Sequence, residues 1–174
     1  MTTRMAGREM SPSYSIRRLT RADVPAMVSI IEATRREYGV QRRMQLLLEP
    51  SDLDMHTTYQ ELRSDYFVAT HAGIPAGGAG IAPLAGVGEE TCELQRLYVS
   101  APHRGRGVGQ LLLNECFRRA AILGFRKCYA ETISEMKEAI RFYEANGFRR
   151  LSAPLGNSGH GHVDRWLSLN LAVE

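Results

Sequence analysis

The hexapeptide Arg104-Gly105-Arg106-Gly107-Val108-Gly109 decides how this chain is read. The apolar pattern before it, Glu93 to Val99, predicts a strand. The pattern after it, about Gly109 to Leu123, predicts an amphipathic helix that buries Leu112, Leu113, Cys116, Phe117 and Ala120. Three glycines thus alternate with other residues where a strand hands over to a helix. Glycine permits positive φ and brings backbone N–H groups close to a ligand. A helix start adds unpaired donors and a positive dipole end. Together they make an anion site suited to a phosphate or pyrophosphate, with Arg104 and Arg106 as cationic donors. The loop lacks the Gly-Lys-Ser/Thr ending of a nucleotide-triphosphate loop and the G-x-G-x-x-G spacing of a dinucleotide loop.

Its spacing does fit Arg/Gln-x-x-Gly-x-Gly. The segment Glu93-Leu-Gln-Arg-Leu-Tyr-Val-Ser-Ala-Pro-His-Arg-Gly-Arg-Gly-Val-Gly-Gln-Leu-Leu-Leu113 resembles the acetyl-CoA-binding core of the GNAT superfamily of N-acetyltransferases. A second block, Ala139-Ile-Arg-Phe-Tyr-Glu-Ala-Asn-Gly-Phe148, is similar to that family's Ai-x-x-Y-e-x-x-GF motif. The resemblance runs from about Ser15 to the C-terminus. It implies acetyl-CoA as cosubstrate and an amine as acceptor.

Working outward, the order of predicted elements is β-α-α-β-β-β-α-β-α-β-β, an α+β arrangement with one mixed, mostly antiparallel sheet flanked by helices. The resemblance adds a V-shaped splay between the two central parallel strands and a bulge in the strand at 93–99 that frees backbone groups for the pantetheine arm; pattern alone does not show that bulge. Residues 1–13 read as a flexible tail and 14–174 as a single domain. Strands are expected at 14–19, 66–70, 76–82, 93–99, 126–133, 148–151 and 163–171. Helices are expected at 24–36, from Ser51 or Asp54 to Arg63, at 109–123 and at 135–146. Met44 to Leu48 is apolar and open to a helical reading. The glycine-rich run 76–82 reads as a strand packed closely on a neighbour, since no helix follows it.

At 174 residues the chain is long enough for a core; 44% hydrophobic and 24% charged residues are globular values. No apolar run approaches the roughly 18 residues of a membrane span, and the N-terminus lacks the apolar core of a secretory signal. A net charge of +3 gives no argument for nucleic acid. The pairs Arg35-Arg36, Arg42-Arg43 and Arg118-Arg119 read as solvated helix faces. Cys92, Cys116 and Cys128 are odd in number without C-x-x-C spacing, so they read as buried reduced thiols of a cytoplasmic protein.

Acetyl transfer to an amine needs a hold on the cofactor, a polarised thioester carbonyl, a base for the amine and an acid for the departing thiolate. The resemblance assigns the hold to Leu97, Tyr98, Val99, Arg104, Gly105, Arg106, Gly107, Val108, Gly109 and Gln110. Backbone N–H groups of 97–99 would polarise the carbonyl. Tyr143 matches the family's general acid, and it reads equally as an aromatic packed beside Phe142 and Phe148. Glu93 matches a glutamate that some members use as base. In an ideal strand it shares a face with Gln95, Leu97 and Val99. Glu131 and water compete for that role. Met136 stands where many members carry a cofactor-contacting asparagine. His160 and His162, two apart without further ligands, are a weak metal pattern, so no metal is expected. The 152–162 loop is open to two readings, a flexible polar loop or a lid over the acceptor. The acceptor is read as a small-molecule primary amine attacking directly in a ternary complex. A protein N-terminus or lysine, or a non-catalytic acyl-CoA sensor, are the alternatives. A homodimer is left open.

Overall fold

The computed structural model describes residues 13–43 and 48–171. The tail expected over 1–13 and the apolar segment from Met44 lie almost wholly outside them. Seven strands form one sheet in the order β1-β2-β3-β4-β5-β7-β6. They are β1 (Tyr14–Arg18), β2 (Asp65–His71), β3 (Ile74–Pro83), β4 (Thr91–Val99), β5 (Lys127–Thr132), β6 (Arg149–Leu151) and β7 (Arg165–Asn170). All neighbours are antiparallel except β4 and β5.

Helices cover both faces. On one side α1 (Val24–Glu37) and the short α3 (Met55–Thr58) bury Met27, Ile31, Met55 and Tyr59 against Tyr66 and Val68. On the other side α4 (Val108–Ile122) and α5 (Lys137–Ala145) meet Phe67, Ala69, Ile81 and Leu94 through Leu112, Leu113, Cys116 and Tyr143. The opposite destinations of Tyr66 and Phe67 follow from the two-residue period of a strand. Cys92, Cys116 and Cys128 are all buried thiols.

The helix expected from about 51 to 63 is instead two single turns, α2 (Pro50–Leu53) and α3. Asp54 separates them at φ −115, ψ 35, outside the helical region. Its carbonyl accepts both the N–H and the hydroxyl of Thr58. Asp52 is held back in α2: it bonds the Glu49 N–H at 2.8 Å and is fully buried.

Two features of the sheet position the site. The parallel pairing of β4 with β5 runs only from Thr91–Lys127 to Glu93–Tyr129, after which the strands part. Beside that fork, β4 carries a bulge. Gly78 pairs with Tyr98 and Gly80 with Gln95, so Ala79 faces the two residues Arg96 and Leu97. Arg96 takes φ 50, unusual for a side-chain-bearing residue. The bulge changes the strand's parity. Glu93, Gln95 and Tyr98 share one face, and Leu97 and Val99 turn to the core on the other, which corrects the ideal alternation that grouped them with Glu93.

The glycine-rich β3 is a closely packed strand, as its composition predicts. A Cβ on Gly78 would stand 2.5 Å from the Tyr66 ring, and one on Gly80 would stand 2.6 Å from the rings of Tyr59 and Tyr66. Bare backbone there lets two tyrosines lie on the sheet. Their hydroxyls then reach β4: Tyr66 donates to Arg96 O at 3.0 Å and Tyr59 to Gln95 Oε1 at 2.9 Å.

Candidate active site

The fork between β4 and β5 opens into two cavities. The larger, of about 500 Å³, lies between the end of β4, the 103–110 loop and α5. Its walls include Leu97, Tyr98, Val99, Arg104, Gly105, Gly107, Val108, Gly109, Gln110 and Tyr143. Gly105 and Gly107 take φ 69 and 81, and a Cβ on either would meet nothing within 4 Å. The loop therefore presents open backbone, with Gly107 as N-cap of the 15-residue α4. This is a cradle suited to the phosphates of a nucleotide-bearing thioester. Gly109 lies inside α4, where a Cβ would make only ordinary contact with Phe142 at 3.5 Å.

The two arginines of the loop behave differently from the expectation of free cationic donors. Arg106 is exposed and absent from the cavity wall. Arg104 lines the cavity, but its guanidinium is engaged with Val99 O at 2.9 Å, Glu37 at 2.8 Å and Thr34 at 3.3 Å. It ties the end of β4 to α1 and shapes the cradle. Met136, at the position where many members carry a cofactor-contacting asparagine, and Ala139 and Phe142 of the second motif also line the wall; Thr34, Tyr38, His103 and Glu138 complete it and were not expected there. Tyr143 is buried, packs on Phe142 and Phe148 as the aromatic reading expects, and also lines the cavity. Burial pushes its hydroxyl well above the ordinary tyrosine value, so it stays protonated near neutrality.

The smaller cavity, about 90 Å³, lies on the Glu93 side of the fork. Tyr98 and Met136 line both cavities and form the boundary between them. Its polar wall is Arg35, Glu49, Glu93, Gln95, Arg96, Glu131, His160 and His162. Asp52 anchors the floor. It takes Arg35 Nη1 at 2.5 Å and Arg96 Nε at 2.6 Å while fully buried. Breaking such a pair from one side costs about 3–5 kcal/mol, because a buried charge is left uncompensated. Arg96 also donates to Tyr59 at 2.9 Å and Ser51 at 2.6 Å. The chain continues from Tyr59 to Gln95, whose amide donates to Glu93 Oε2 at 2.6 Å. Arg35 donates to the Tyr98 hydroxyl at 3.2 Å.

Arg35 is thus no solvated residue: it is 7% exposed. Only Arg36 of that pair faces solvent, on Glu32. Spacing held a signal, since Arg35 extends the Met27–Ile31 stripe by four residues. In the other pairs Arg43 meets Glu135 and Asp164, Arg118 meets Glu115 and Arg119 meets Asp65.

Glu93 is 3% exposed. Burial pushes its carboxyl up to about 7, against the pull of the Gln95 hydrogen bond. Its neighbour in the cavity is His160, from the loop expected to be flexible or a lid. His160 Nδ1 lies 2.5 Å from Glu131 Oε1 and 3.8 Å from Glu93 Oε1, and Nε2 lies 3.5 Å from Glu49 Oε2. Hydrogen bonds to Glu131 and Glu49 outweigh burial and raise His160 to about 10. Reciprocally, the His160 hydrogen bond lowers Glu49 to about 2 against burial. Burial alone would raise Glu131, yet bonds from His160, Ser158 and Tyr129 hold it below the usual carboxylate value. The two carboxylates thus differ in setting: Glu131 is hydrogen-bonded to His160, and burial raises Glu93. Glu93, Glu131 and His160 bring donor atoms within 4.8 Å of one another, as a metal would require. In this structure the ring lies between carboxylates, and hydrogen bonds to Glu131 and Glu49 favour its charged form.

Residues 27–148 match the family model described as acetyltransferase (GNAT) family. The chain belongs to the acetyltransferase (GNAT) family. This acetyltransferase is 36% identical over 146 residues to the uncharacterized N-acetyltransferase YjgM of Escherichia coli, covering 83% of this chain and 87% of that one. A GNAT-family acetyltransferase from Staphylococcus aureus shares the fold at a TM-score of 0.79 and 18% identity, over 92% of this chain and all of that one. The structure of yncA from Salmonella typhimurium with its cofactor acetyl-CoA superposes at 0.72, with 21% identity over 93% of this chain and 96% of that one. Among the described residues, no helix is long and apolar enough to cross a membrane.

Proposed function

We propose that this acetyltransferase moves an acetyl group from acetyl-CoA directly to a small-molecule primary amine, both bound at once. One observation carries the reading: two cavities of different chemistry meet across Tyr98 and Met136 at the fork between β4 and β5. The larger suits the cofactor. Open backbone at Gly105 and Gly107 faces phosphates, and Leu97, Val99, Ala139 and Phe142 offer apolar contact to a pantetheine arm. The yncA structure supports acetyl-CoA as its occupant.

Acetyl-CoA supplies an activated acyl carbon and a thiolate leaving group. Glu93 accepts the proton that the acceptor nitrogen loses, directly or through a water, as that nitrogen bonds to the acyl carbon. Its value of about 7 matches the task, because a base near the working pH combines availability with driving force. Those backbone N–H groups of 97–99 that face away from β3, beyond the last β5 pairing, stabilise the carbonyl oxygen as negative charge gathers there. Tyr143 donates a proton to sulfur as the carbon–sulfur bond breaks. The products are an acetamide and the free thiol. Direct transfer is favoured because each nucleophilic cysteine is buried, with Cys116 and Cys128 held well above the ordinary thiol value.

The test is thiol release from acetyl-CoA with a panel of small amines, peptides with free N-termini and lysine peptides. Saturable release with a small amine supports the reading. Release with peptides alone moves the acceptor to protein, and coenzyme A binding without any release makes the protein a sensor.

A further inference from the structure

The 152–164 loop is fastened at both ends. Asn157 N–H donates to Ala85 O at 2.8 Å. Asp164 accepts from Ser134 N–H at 2.8 Å and from Arg43 at 3.1 Å. Between these anchors His160, flanked by Gly159 and Gly161, enters the acceptor cavity. Three carboxylates face its ring: Glu131, Glu93 and Glu49. His162 packs edge-on at 5.8 Å between ring centroids, and burial lowers its value. The other cations of the cavity, Arg35 and Arg96, are directed mainly at Asp52, and Arg96 also reaches Glu49 at 3.7 Å. The cation that faces Glu131, and that shares Glu49 with Arg96, is carried on a loop, with its side chain one-quarter exposed.

With the ring in place the cavity measures about 90 Å³. That is well below the roughly 300 Å³ at which ligand cavities begin, so an acceptor needs the space that the ring fills. Removing the ring alone strands the buried Glu131 carboxylate and leaves Glu49 with Arg96 at 3.7 Å, which is unfavourable. An acceptor that brings its own cation restores the balance; a neutral or anionic one does not.

Building on the acetyl-transfer reading above, we infer that the seat between Glu49 and Glu131, held by the His160 ring, is a subsite for a second positive charge on the acceptor. The preferred acceptors are small dications, one nitrogen meeting Glu93 and the thioester while the other replaces the imidazolium. His160 is then a specificity-determining residue that fills the seat between turnovers.

Diaminobutane and butylamine are the probes, with aminobutanol as a polar control lacking the second charge. Wild type should favour diaminobutane over both in kcat/KM. In Glu49→Gln that preference over butylamine should fall on the order of tenfold, because a desolvated charge pair is lost. In His160→Gln the KM for diaminobutane should fall, since the competing ring is gone; a purely structural His160 would instead raise KM for every amine. On the wild-type protein with coenzyme A, ring-labelled histidine observed by nuclear magnetic resonance should show the His160 signals moving on diaminobutane addition, and not on aminobutanol. An unchanged diamine preference in Glu49→Gln, or an unmoved His160 signal at saturating diaminobutane, overturns the inference. If no amine releases thiol, the transfer reading fails by itself, and the resonance titration still decides whether the seat takes a cation.

Discussion

The two cavities at the fork are built by opposite means. The larger is open, mostly apolar and shaped by main chain: two positive-φ glycines, a helix start and the unpaired edge of β4. The smaller is tight, charged and shaped by side chains from α1, the α2 turn, β4, β5 and the 152–164 loop. A main-chain site is fixed locally, because the glycine spacing itself encodes the geometry. A side-chain site exists only once the whole sheet has assembled. The first suits a ligand common to many chains; the second can be rewritten residue by residue to take a new acceptor.

The largest effect expected breaks the smaller site without touching the larger. Glu93→Gln keeps shape and removes the proton acceptor. We expect kcat to fall roughly 100- to 10,000-fold, the usual span of general-base effects, with coenzyme A affinity little changed. The acidic limb near 7 in the wild-type rate profile should vanish in the variant. Steady-state kinetics across pH with calorimetry for coenzyme A makes the check. A variant that keeps the limb assigns it elsewhere. The converse is Gly107→Val, which places a β-branched residue at φ 81. Reorganising that turn should weaken coenzyme A binding about 10- to 100-fold, as a strain of order 1–3 kcal/mol implies. The Glu93 limb should persist under saturating cofactor. Unchanged calorimetry would break the main-chain assignment.

The same contrast explains what could be read from the sequence. The strand–glycine loop–helix unit and the mostly antiparallel mixed sheet followed from local pattern, and the family resemblance named residues of which all but Arg106 line the larger cavity. Arg106 is exposed and off the wall, since spacing shows that a charge is near the loop, not which way it points. Arg104 lines the wall, but it spends its donors on Val99, Glu37 and Thr34, contacts up to 70 residues away. The bulge at Arg96 was expected from the family resemblance but invisible to pattern, because it arises from pairing with β3, and it overturned the face expected for Leu97 and Val99. Glu49 and His160 have no local signature. Their role rests on charge pairing across segments distant in sequence, and a glycine-flanked histidine in a polar loop looks the same whether solvated or docked. Arg35 alone left a trace, at helical spacing behind Met27 and Ile31.

Tyr143→Phe sharpens the comparison at the boundary. The ring's packing on Phe142 and Phe148 should survive. If its hydroxyl donates to the leaving sulfur, kcat falls about 10- to 100-fold while coenzyme A binding and melting temperature stay close to wild type, because the contact matters only in the transition state. Full activity in the variant would leave Tyr143 as a wall of the larger site alone.

The smallest effect concerns stability, and its pH dependence identifies which site is being tested. His160 is raised from 6.5 to about 10 in the folded protein. A group raised on folding contributes stability that is fully present below its unfolded value and lost as pH rises through its folded value. Glu49, its partner, is lowered from 4.5 to about 2, so its share is present above 4.5 and lost as pH falls through 2. His160→Gln should therefore melt below wild type by a margin that is widest between 4.5 and 6.5 and closes toward 10. The ring is one-quarter exposed, so solvent screens the pair, and a margin of about 2–4 °C is expected for a chain of this size. Glu93 acts in the other direction. Its raised value means that ionising it costs stability as pH rises from 4.5 through about 7, and loss of the imidazolium makes that cost larger in the variant. The closing of the margin should thus lag near 7 before it completes. Tyr143→Phe, measured alongside, should show a flat difference over the same range, because the tyrosine hydroxyl stays protonated throughout it. A flat curve for His160→Gln as well would mean that the imidazolium is not seated among the three carboxylates, and the charged character of the smaller site would have to rest on Arg35, Arg96 and Asp52 alone.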